Sequence, residues 1–513
     1  MSCREKFGKQ RGLALMLALS VAGFCGSIFA ADPPPANPTH PSSPHRPNIV
    51  FILTDDMAMY DVAVMPKLKG LLINEGTTFS DYFVTNSLCC PSRSSILRGQ
   101  YVHNHHVTSN EAGFKRFYEF GHEASTIATW LKAAGYSTGY MGKYLNGYPE
   151  SDDKTHVPRG WDEWDVAINY EGYNEFKYHL NENGKIVAYG HSEEDYLTDV
   201  LSRKAQAFIR QAAEKQKPFF LHLSPFAPHY PATPAPRHQD LFPGVKAPRT
   251  ASFDEESVAG KPAYLRAQPR LTKSQTAKLD EHYRKRIQSL QSVDDLLDNI
   301  VKTLKDTGTL ADTYIVFTSD NGFHLGQHRL REGKQTAYEE DIHVPLIIRG
   351  PGVPARHAIP HLALETDLAP TFADWASVTP PGFVDGRSLA PLLGKRAPSL
   401  EHWRQGVLIE HYPGSEPYLS NFEKRLFDAK ERPRLTAYKA VRSNQYLYVE
   451  YESGERELYD LHKDPDELHN IVKEAAPDLV KGLSSWIDHV SRCAGANCQT
   501  AENITTLEQP RMN

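Results

Sequence analysis

The chain of 513 residues carries 57 Lys and Arg against 63 Asp and Glu, a formal net charge of −6, with 40% hydrophobic, 10% aromatic and 23% charged residues. This weakly acidic balance has no electrostatic footprint for nucleic acid, so no such partner is expected. The composition is that of a globular protein, and six cysteines in this length leave it poor in thiols.

Arg4, Lys6, Lys9 and Arg11 precede the apolar run LALMLALSVAGF and the small residues GSIFA, the pattern of a secretory signal peptide over 1–30. The run is short and interrupted by Gly and Ser, so no stable membrane anchor is expected. The mature chain is then exported: periplasmic or secreted, lysosomal or extracellular if eukaryotic. Cys3 and Cys25 leave with the signal. A Pro-rich leader over 31–46 can hold neither a helix nor a sheet ladder. About 460 residues remain, more than one typical domain. A large unit over 47–390 and a smaller one over 391–513 are expected, without internal repeats.

PNIVFILTDD is a continuous apolar run ending in two carboxylates, which predicts a strand buried on both faces. STIATWLKAAG predicts a helix with Ile127, Trp130, Leu131 and Ala134 on one stripe, stopped at Gly135, and YSTGYMGKY a second strand. An amphipathic helix over EDYLTDVLSRKAQAFIRQAAEK leads to the strand KPFFLHLS and the loop PFAPHYP. A long helical stretch from Ser274 to Gly308 precedes the strand TYIVFTSDNG, and VPLIIRGPG reads as one more strand. Such alternation predicts an α/β fold around a mostly parallel sheet. From Tyr438 to Leu461, short β-rich pieces with a Ser-Gly turn predict an antiparallel hairpin, followed by a helix over APDLVKGLSSWIDHV. Cys493 and Cys498 are close enough for a small disulfide; a metal knuckle with His489 is the weaker alternative.

Chemistry collects just after the apolar runs, where open α/β sheets bind ligands. Asp55 and Asp56, Lys143, His229, and Asp320 with Asn321 each follow a separate strand. Two acidic pairs make an all-oxygen set suited to a hard cation such as Ca²⁺ or Mg²⁺. Either pair alone is also good turn chemistry; their recurrence on one edge favours the metal. Pro91 suits a first helical turn, which places Cys89 at a helix N-terminus, where backbone N–H groups favour negative charge.

CCPSRSSILRG resembles the signature of the type I sulfatases, Cys-x-Pro-Ser-Arg followed by x-x-x-Leu-Thr-Gly. Cys89, Pro91, Ser92, Arg93, Leu97 and Gly99 match, and Arg98 stands where Thr is usual. LTDD, GYMGKY, APHYP, TSDNGFHLGQH, REGKQTAYEEDIHVPLIIRGPG and ELYDLHKDPDELHNI resemble the family's further motifs, in order along the chain. The resemblance implies an alkaline-phosphatase-like sandwich with a smaller C-terminal α+β unit holding a four-stranded antiparallel sheet and a helix. It also implies that a formylglycine-generating maturation enzyme oxidises Cys89 to Cα-formylglycine. Asp55, Asp56, Asp320, Asn321 and residue 89 would then ligate Ca²⁺, with Mg²⁺ the alternative. Arg93, Lys143 and Lys334 would neutralise sulfate, and His229, with Lys334, would protonate the leaving alcohol. A hydrated aldehyde offers two hydroxyls, one to attack sulfur and one to expel sulfate afterwards.

One departure stands out. Many relatives carry a His two residues after the Lys; here Leu145 takes that place, leaving Asn146 or the cluster His103, His105 and His106 as substitutes. Those histidines equally suit a solvated loop, and His324 and His328, beside the second acidic pair, are further substrate contacts to consider. GKYLN and HNHHV resemble the N-acetylglucosamine-6-sulfatase and heparan endosulfatase branch, which implies a sulfated amino sugar or glycan substrate, with aryl sulfates also accepted. The aromatic stretch from Trp161 to Gly184 suits either sugar stacking or a hairpin core. The alternatives are a phosphatase or phosphonate monoester hydrolase of the same superfamily, and a non-catalytic carbohydrate-binding protein. The latter would be expected to lose Cys89 or a metal Asp, and both are retained.

Overall fold

The run from Asn48 to Thr54 forms a strand, β1, buried at every position, as expected of an apolar segment covered on both faces. In this computed structural model, which describes residues 46–111, 113–149, 153–394, 397–413 and 435–503, β1 lies inside a ten-stranded sheet. The expected signal and nearly all of the leader lie outside the described residues. Among the described residues no helix is long and apolar enough to cross a membrane.

The sheet is completed by β2 (Thr77–Phe79), β3 (Ser137–Gly142), β4 (Glu163–Ala167), β5 (His179–Glu182), β6 (Lys185–Ala188), β7 (Phe219–Ser224), β8 (Thr313–Ser319), β9 (Leu346–Arg349) and β10 (His357–Ile359). Their order is β10-β2-β9-β8-β1-β7-β3-β4-β5-β6. The five strands from β8 to β4 run parallel. β9, expected only as one more strand, runs antiparallel to β8 and to β2, and β5 and β6 form an antiparallel edge.

Alternate residues of β1 feed opposite cores, which makes the sheet the middle layer of a sandwich. Val50 and Ile52 join the apolar cluster under the helices α3 (Leu197–Glu214) and α4 (Lys273–Asp306). Ile49, Phe51 and Leu53 join the opposite cluster, which runs through α5 (Leu368–Trp375) to Tyr448 and Trp486 near the C-terminus. Burying one large apolar side chain contributes about 1.5–3 kcal/mol, so these two layers dominate the folding energy. The 34-residue helix α4 starts on a capping box in which the Thr272 hydroxyl accepts from the Gln275 backbone and the Gln275 side chain accepts from the Thr272 backbone.

The C-terminal sheet has four antiparallel strands, β11 (Gly406–His411), β12 (Tyr438–Ser443), β13 (Tyr446–Tyr451) and β14 (Arg456–Asp460), and the helix α6 (Pro477–Val490) follows. The stretch read from the sequence as a hairpin forms β12, β13 and β14, and β11 adds a strand that local pattern did not reveal. Cys493 and Cys498 are joined as a disulfide, and the Cys493 carbonyl accepts from the Asn104 side chain.

Candidate functional site

The strand register builds the site. Thr54 of β1 stands opposite Ser319 of β8, so Asp55 and Asp56 leave the sheet beside Asp320 and Asn321. The Asp320 amide donates to Thr54 O at 3.1 Å, and the Asp56 amide to Asp320 Oδ1 at 3.0 Å. Asp56 holds φ +65°, a left-handed turn that Asp tolerates better than most side chains. Gly142 of β3 pairs with Ser224 of β7, and the next amide, of Lys143, donates to Ser224 O at 2.8 Å. Four parallel strands thus deliver polar groups to one edge.

The helix α1 (Cys89–Arg98) begins on the expected residue, preceded by Leu88 in an extended conformation and ended by Gly99 at φ +68°. Cys89 Sγ lies 3.5 Å from Asp55 Oδ1, 3.9 Å from Asp56 Oδ1 and 2.7 Å from Lys334 Nζ. Burial pushes its thiol well above the ordinary range, against the pull of Lys143 and Lys334. A thiol this reluctant to ionise is a poor nucleophile in its own right. Cys90 makes no bond with it; it packs against Gly113, where a Cβ would collide with its sulfur, and burial pushes its thiol up to about 12.

Three cations face three carboxylates. Arg93 Nε donates to Asp320 Oδ2 at 2.8 Å, and its Nη1 to Lys143 O at 2.8 Å and Ser224 Oγ at 2.6 Å. Its Nη2 is buried without a hydrogen-bond partner among the described residues, 3.9 Å from Asp55 Oδ1. Lys143 Nζ donates to Asp55 Oδ2 at 2.6 Å, and Lys334 Nζ to Asp56 Oδ1. Burial by itself raises Asp55, but Lys143, His229, Arg93 and Lys334 outweigh it and hold the carboxyl far below the usual range. Asp56 is lowered in the same way against its burial, chiefly by Lys334 and His229. Burial prevails at Asp320, which is raised despite Arg93. His229 Nε2 stands 3.5 Å from Asp56 Oδ2 while Nδ1 lies 2.7 Å from Tyr230 O.

Most of the other residues singled out in the sequence are engaged by partners within the fold. His105 is fully buried with its ring nitrogens at Ser95 Oγ and the Val107 amide, which leaves none for a substrate. His103 binds Glu410, and His106 is exposed. His324 pairs through Nδ1 with Asp341, and His328 through Nδ1 with Glu255. Leu145 is buried in the core, as are Trp161 and Trp164, which pack with Tyr140. The aromatic stretch is therefore mainly a hairpin core. Tyr173 is its exception: its ring lies 4.4 Å from that of His229 and 5.2 Å from Lys143 Nζ. Asn146 Nδ2 reaches the Tyr173 hydroxyl at 3.5 Å, and its buried Oδ1 has no hydrogen-bond partner among the described residues.

Sequence reading missed Tyr173, Ser224 and Arg286. Arg286, fully buried in α4, donates to Asp56 O at 2.6 Å and Asp61 Oδ2 at 2.8 Å, holding the Asp56 turn from below. Its only advance signal was an Arg on the apolar stripe of a long helix.

The donor chemistry fits a divalent cation. Asp55, Asp56, Cys89 and His229 each offer a ligand atom, all within 4.8 Å of one another. The Lys334 ammonium already reaches Asp56 Oδ1, Cys89 Sγ and, at 3.5 Å, Asn321 Oδ1, so this point accepts a positive charge.

Two family models match the chain. One, described as Sulfatase, covers residues 47–378, and the other, described as N-sulphoglucosamine sulphohydrolase, C-terminal, covers residues 326–491. The N-acetylglucosamine-6-sulfatase of Homo sapiens is 36% identical over 514 residues, covering 94% of this chain and 90% of that one. A solved structure in complex with its substrate D-glucosamine-2-N,6-O-disulfate superposes with a TM-score of 0.72 at 24% identity, covering 86% of this chain and 97% of that one. The phosphonate monoester hydrolase of Silicibacter pomeroyi shares the fold with a TM-score of 0.63 at 24% identity, covering 86% and 93%.

Proposed function

The chain belongs to the sulfatase family and is a sulfuric ester hydrolase, and from that premise we propose that it removes sulfate from a sulfated amino sugar, a 6-sulfated N-acetylglucosamine first, at the site around Cys89. The observation that carries this reading is the ring about Cys89 Sγ: three carboxylates, three cations, and a buried Arg93 Nη2 without a hydrogen-bond partner among the described residues, turned toward Asp55. A buried donor left unmatched costs about 1–3 kcal/mol, which an anionic ligand would recover. The name of the human relative, matched over nearly the whole chain, supports the amino sugar. An exported protein, periplasmic or secreted, fits the basic and apolar N-terminal pattern.

A divalent cation held by Asp55, Asp56, Asp320 and Asn321, Ca²⁺ before Mg²⁺, would supply Lewis-acid charge, and formylglycine made from Cys89 would supply an aldehyde hydrate as nucleophile. The remaining work belongs to the side chains present. Lys143, Lys334 and Arg93 Nη2 meet the non-bridging sulfate oxygens and offset the charge that builds there during transfer. Nδ1 of His229 donates to Tyr230 O, so Nε2 is the nitrogen turned to the site, and as imidazolium it hands a proton to the departing alcohol. Tyr173, tilted against His229, and Asn146 line the side on which the sugar leaves.

Turnover of N-acetylglucosamine-6-sulfate, an aryl sulfate, a phosphate monoester and a phosphonate monoester by the purified chain tests the reading. The two sulfates are turned over, the amino sugar with the higher kcat/KM, and Cys89→Ala abolishes both while the circular dichroism spectrum is unchanged. Preference for the phosphonate would favour the runner-up activity. Sulfate turnover surviving in Cys89→Ala would remove the nucleophile assignment.

A further inference from the structure

Outside the site just described, three polar atoms converge with no hydrogen bond to any of them among the described residues. His328, Glu340 and Glu467 each present one ligand atom, all within 4.8 Å of one another. His328 Nε2, Glu340 Oε2 and Glu467 Oε1 are buried, and none has a hydrogen-bond partner among the described residues. His328 and Glu467 are each 1% exposed.

The opposite sides of these residues are all bound. His328 Nδ1 lies 3.1 Å from Glu255 Oε1, the ring stacks on Tyr338 at 4.0 Å, and its amide donates to Ser252 O. Glu340 Oε1 accepts from Ser252 Oγ at 3.0 Å, and Glu467 Oε2 from the Glu339 amide at 3.1 Å. A carboxylate on one imidazole nitrogen sets the tautomer and turns the lone pair of the other nitrogen outward, the arrangement that orients metal-binding histidines. Here that lone pair looks at carboxylate oxygens, the nearer 3.8 Å away on Glu340. Lone pair against carboxylate is repulsive, and 3.8 Å is too long for a hydrogen bond. The spacing suits two ligands of one ion, since atoms about 2.1 Å from a tetrahedral metal stand about 3.4 Å apart.

Charge points the same way. Glu255, Glu340 and Glu467 bring three buried or nearly buried carboxylates. Apart from His328 itself, the cation paired with any of them among the described residues is Lys261, which stands 3.9 Å from Glu255 and donates to the Glu467 carbonyl.

We propose that His328, Glu340 and Glu467 bind a second metal ion, a borderline divalent cation of which zinc is the best match to one imidazole and two carboxylates, with Glu255 orienting the histidine. The ion ties the β8–β9 connection to the segment after β14. The Phe323 amide donates to Glu340 O at 2.8 Å, so the same ion steadies the loop that carries Asn321. This role is structural and independent of the substrate assigned above.

The test is metal analysis of the full chain, stripped with a chelator, reloaded with zinc and calcium together and desalted. One zinc per chain is expected in the wild type, falling at least tenfold in Glu467→Gln and His328→Ala with the far-ultraviolet spectrum retained. Zinc is expected to raise the melting temperature of the wild type, and calcium added alone to leave this component unchanged. Wild-type protein that takes up no zinc, or folded variants that take up as much as the wild type, would overturn the site and leave it to protons or water. Should the variants not fold, cobalt decides on the wild type: visible d–d absorption of a nitrogen- and oxygen-bound ion supports the site, and its absence refutes it.

Discussion

The imidazole of His229 is fixed on two sides, by Tyr230 O at Nδ1 and by the Tyr173 ring against its face, so that Nε2 faces Asp56. A group held in this way matters most when the leaving oxygen is basic. His229→Ala is expected to slow a sugar sulfate by about 10²- to 10⁴-fold, and the sulfate of an acidic phenol far less. Rates measured across aryl sulfates of graded phenol acidity check this, and an equal loss on every ester would contradict proton donation by His229. At this scale the acidic pairs and Lys143 were legible because strand ends in a parallel sheet are where polar residues have work to do. His105, His324 and His328 were not, because residue type does not report burial, and each turned out to have a partner within the fold. Tyr173 sits among residues that fill a hairpin core, and nothing local distinguishes it from them.

All ten residues of the helix Cys89–Arg98 are buried, which sets a constraint on any maturation of Cys89. An enzyme reading Cys89, Pro91 and Arg93 cannot reach them in the folded chain, so oxidation has to precede folding. Folded thiol-form protein incubated with a formylglycine-generating enzyme is expected to keep its thiol, while a peptide spanning Asn86–Tyr101 is converted; conversion of the folded protein at the peptide's rate would contradict this. Elements with long apolar runs or a clear helical stripe were readable, β1, β7, β8, α3 and α4 among them, because each buries a face wide enough to leave a pattern. β11 was missed because it pairs with β12 across a long sequence gap. The antiparallel direction of β9 is set by how β8 connects to it, which local pattern does not encode.

At the scale of the whole molecule, two buried acids give stability a pH slope. Burial pushes Glu175 and Glu365 each up to about 8 from an ordinary value of 4.5, although Thr198 and Thr85 donate to them. Between those values the folded chain binds more protons than the unfolded one. Their contribution is therefore complete below about pH 4.5 and is lost as pH rises toward about 8, by up to about 1.4 kcal/mol per unit and group. The double variant Glu175→Gln, Glu365→Gln is expected to flatten the fall in melting temperature over this range, and a slope as steep as the wild type's would contradict the assignment. The α/β fold around one mostly parallel sheet was legible from alternation of strand and helix, and the sandwich and the second antiparallel sheet from the family resemblance. The ring of charge was legible only in part, since Ser224 and Arg286 reach it by register and helix packing.

Cys89 is a buried thiol that burial keeps from ionising, held against Lys334 at the centre of the proposed site. The mass of the proteolytic peptide containing residue 89, taken from active enzyme, tests its proposed maturation most directly. The account predicts a peptide in which sulfur is replaced by oxygen and two hydrogens are lost, the mark of formylglycine; an intact cysteine at position 89 in fully active enzyme would contradict it.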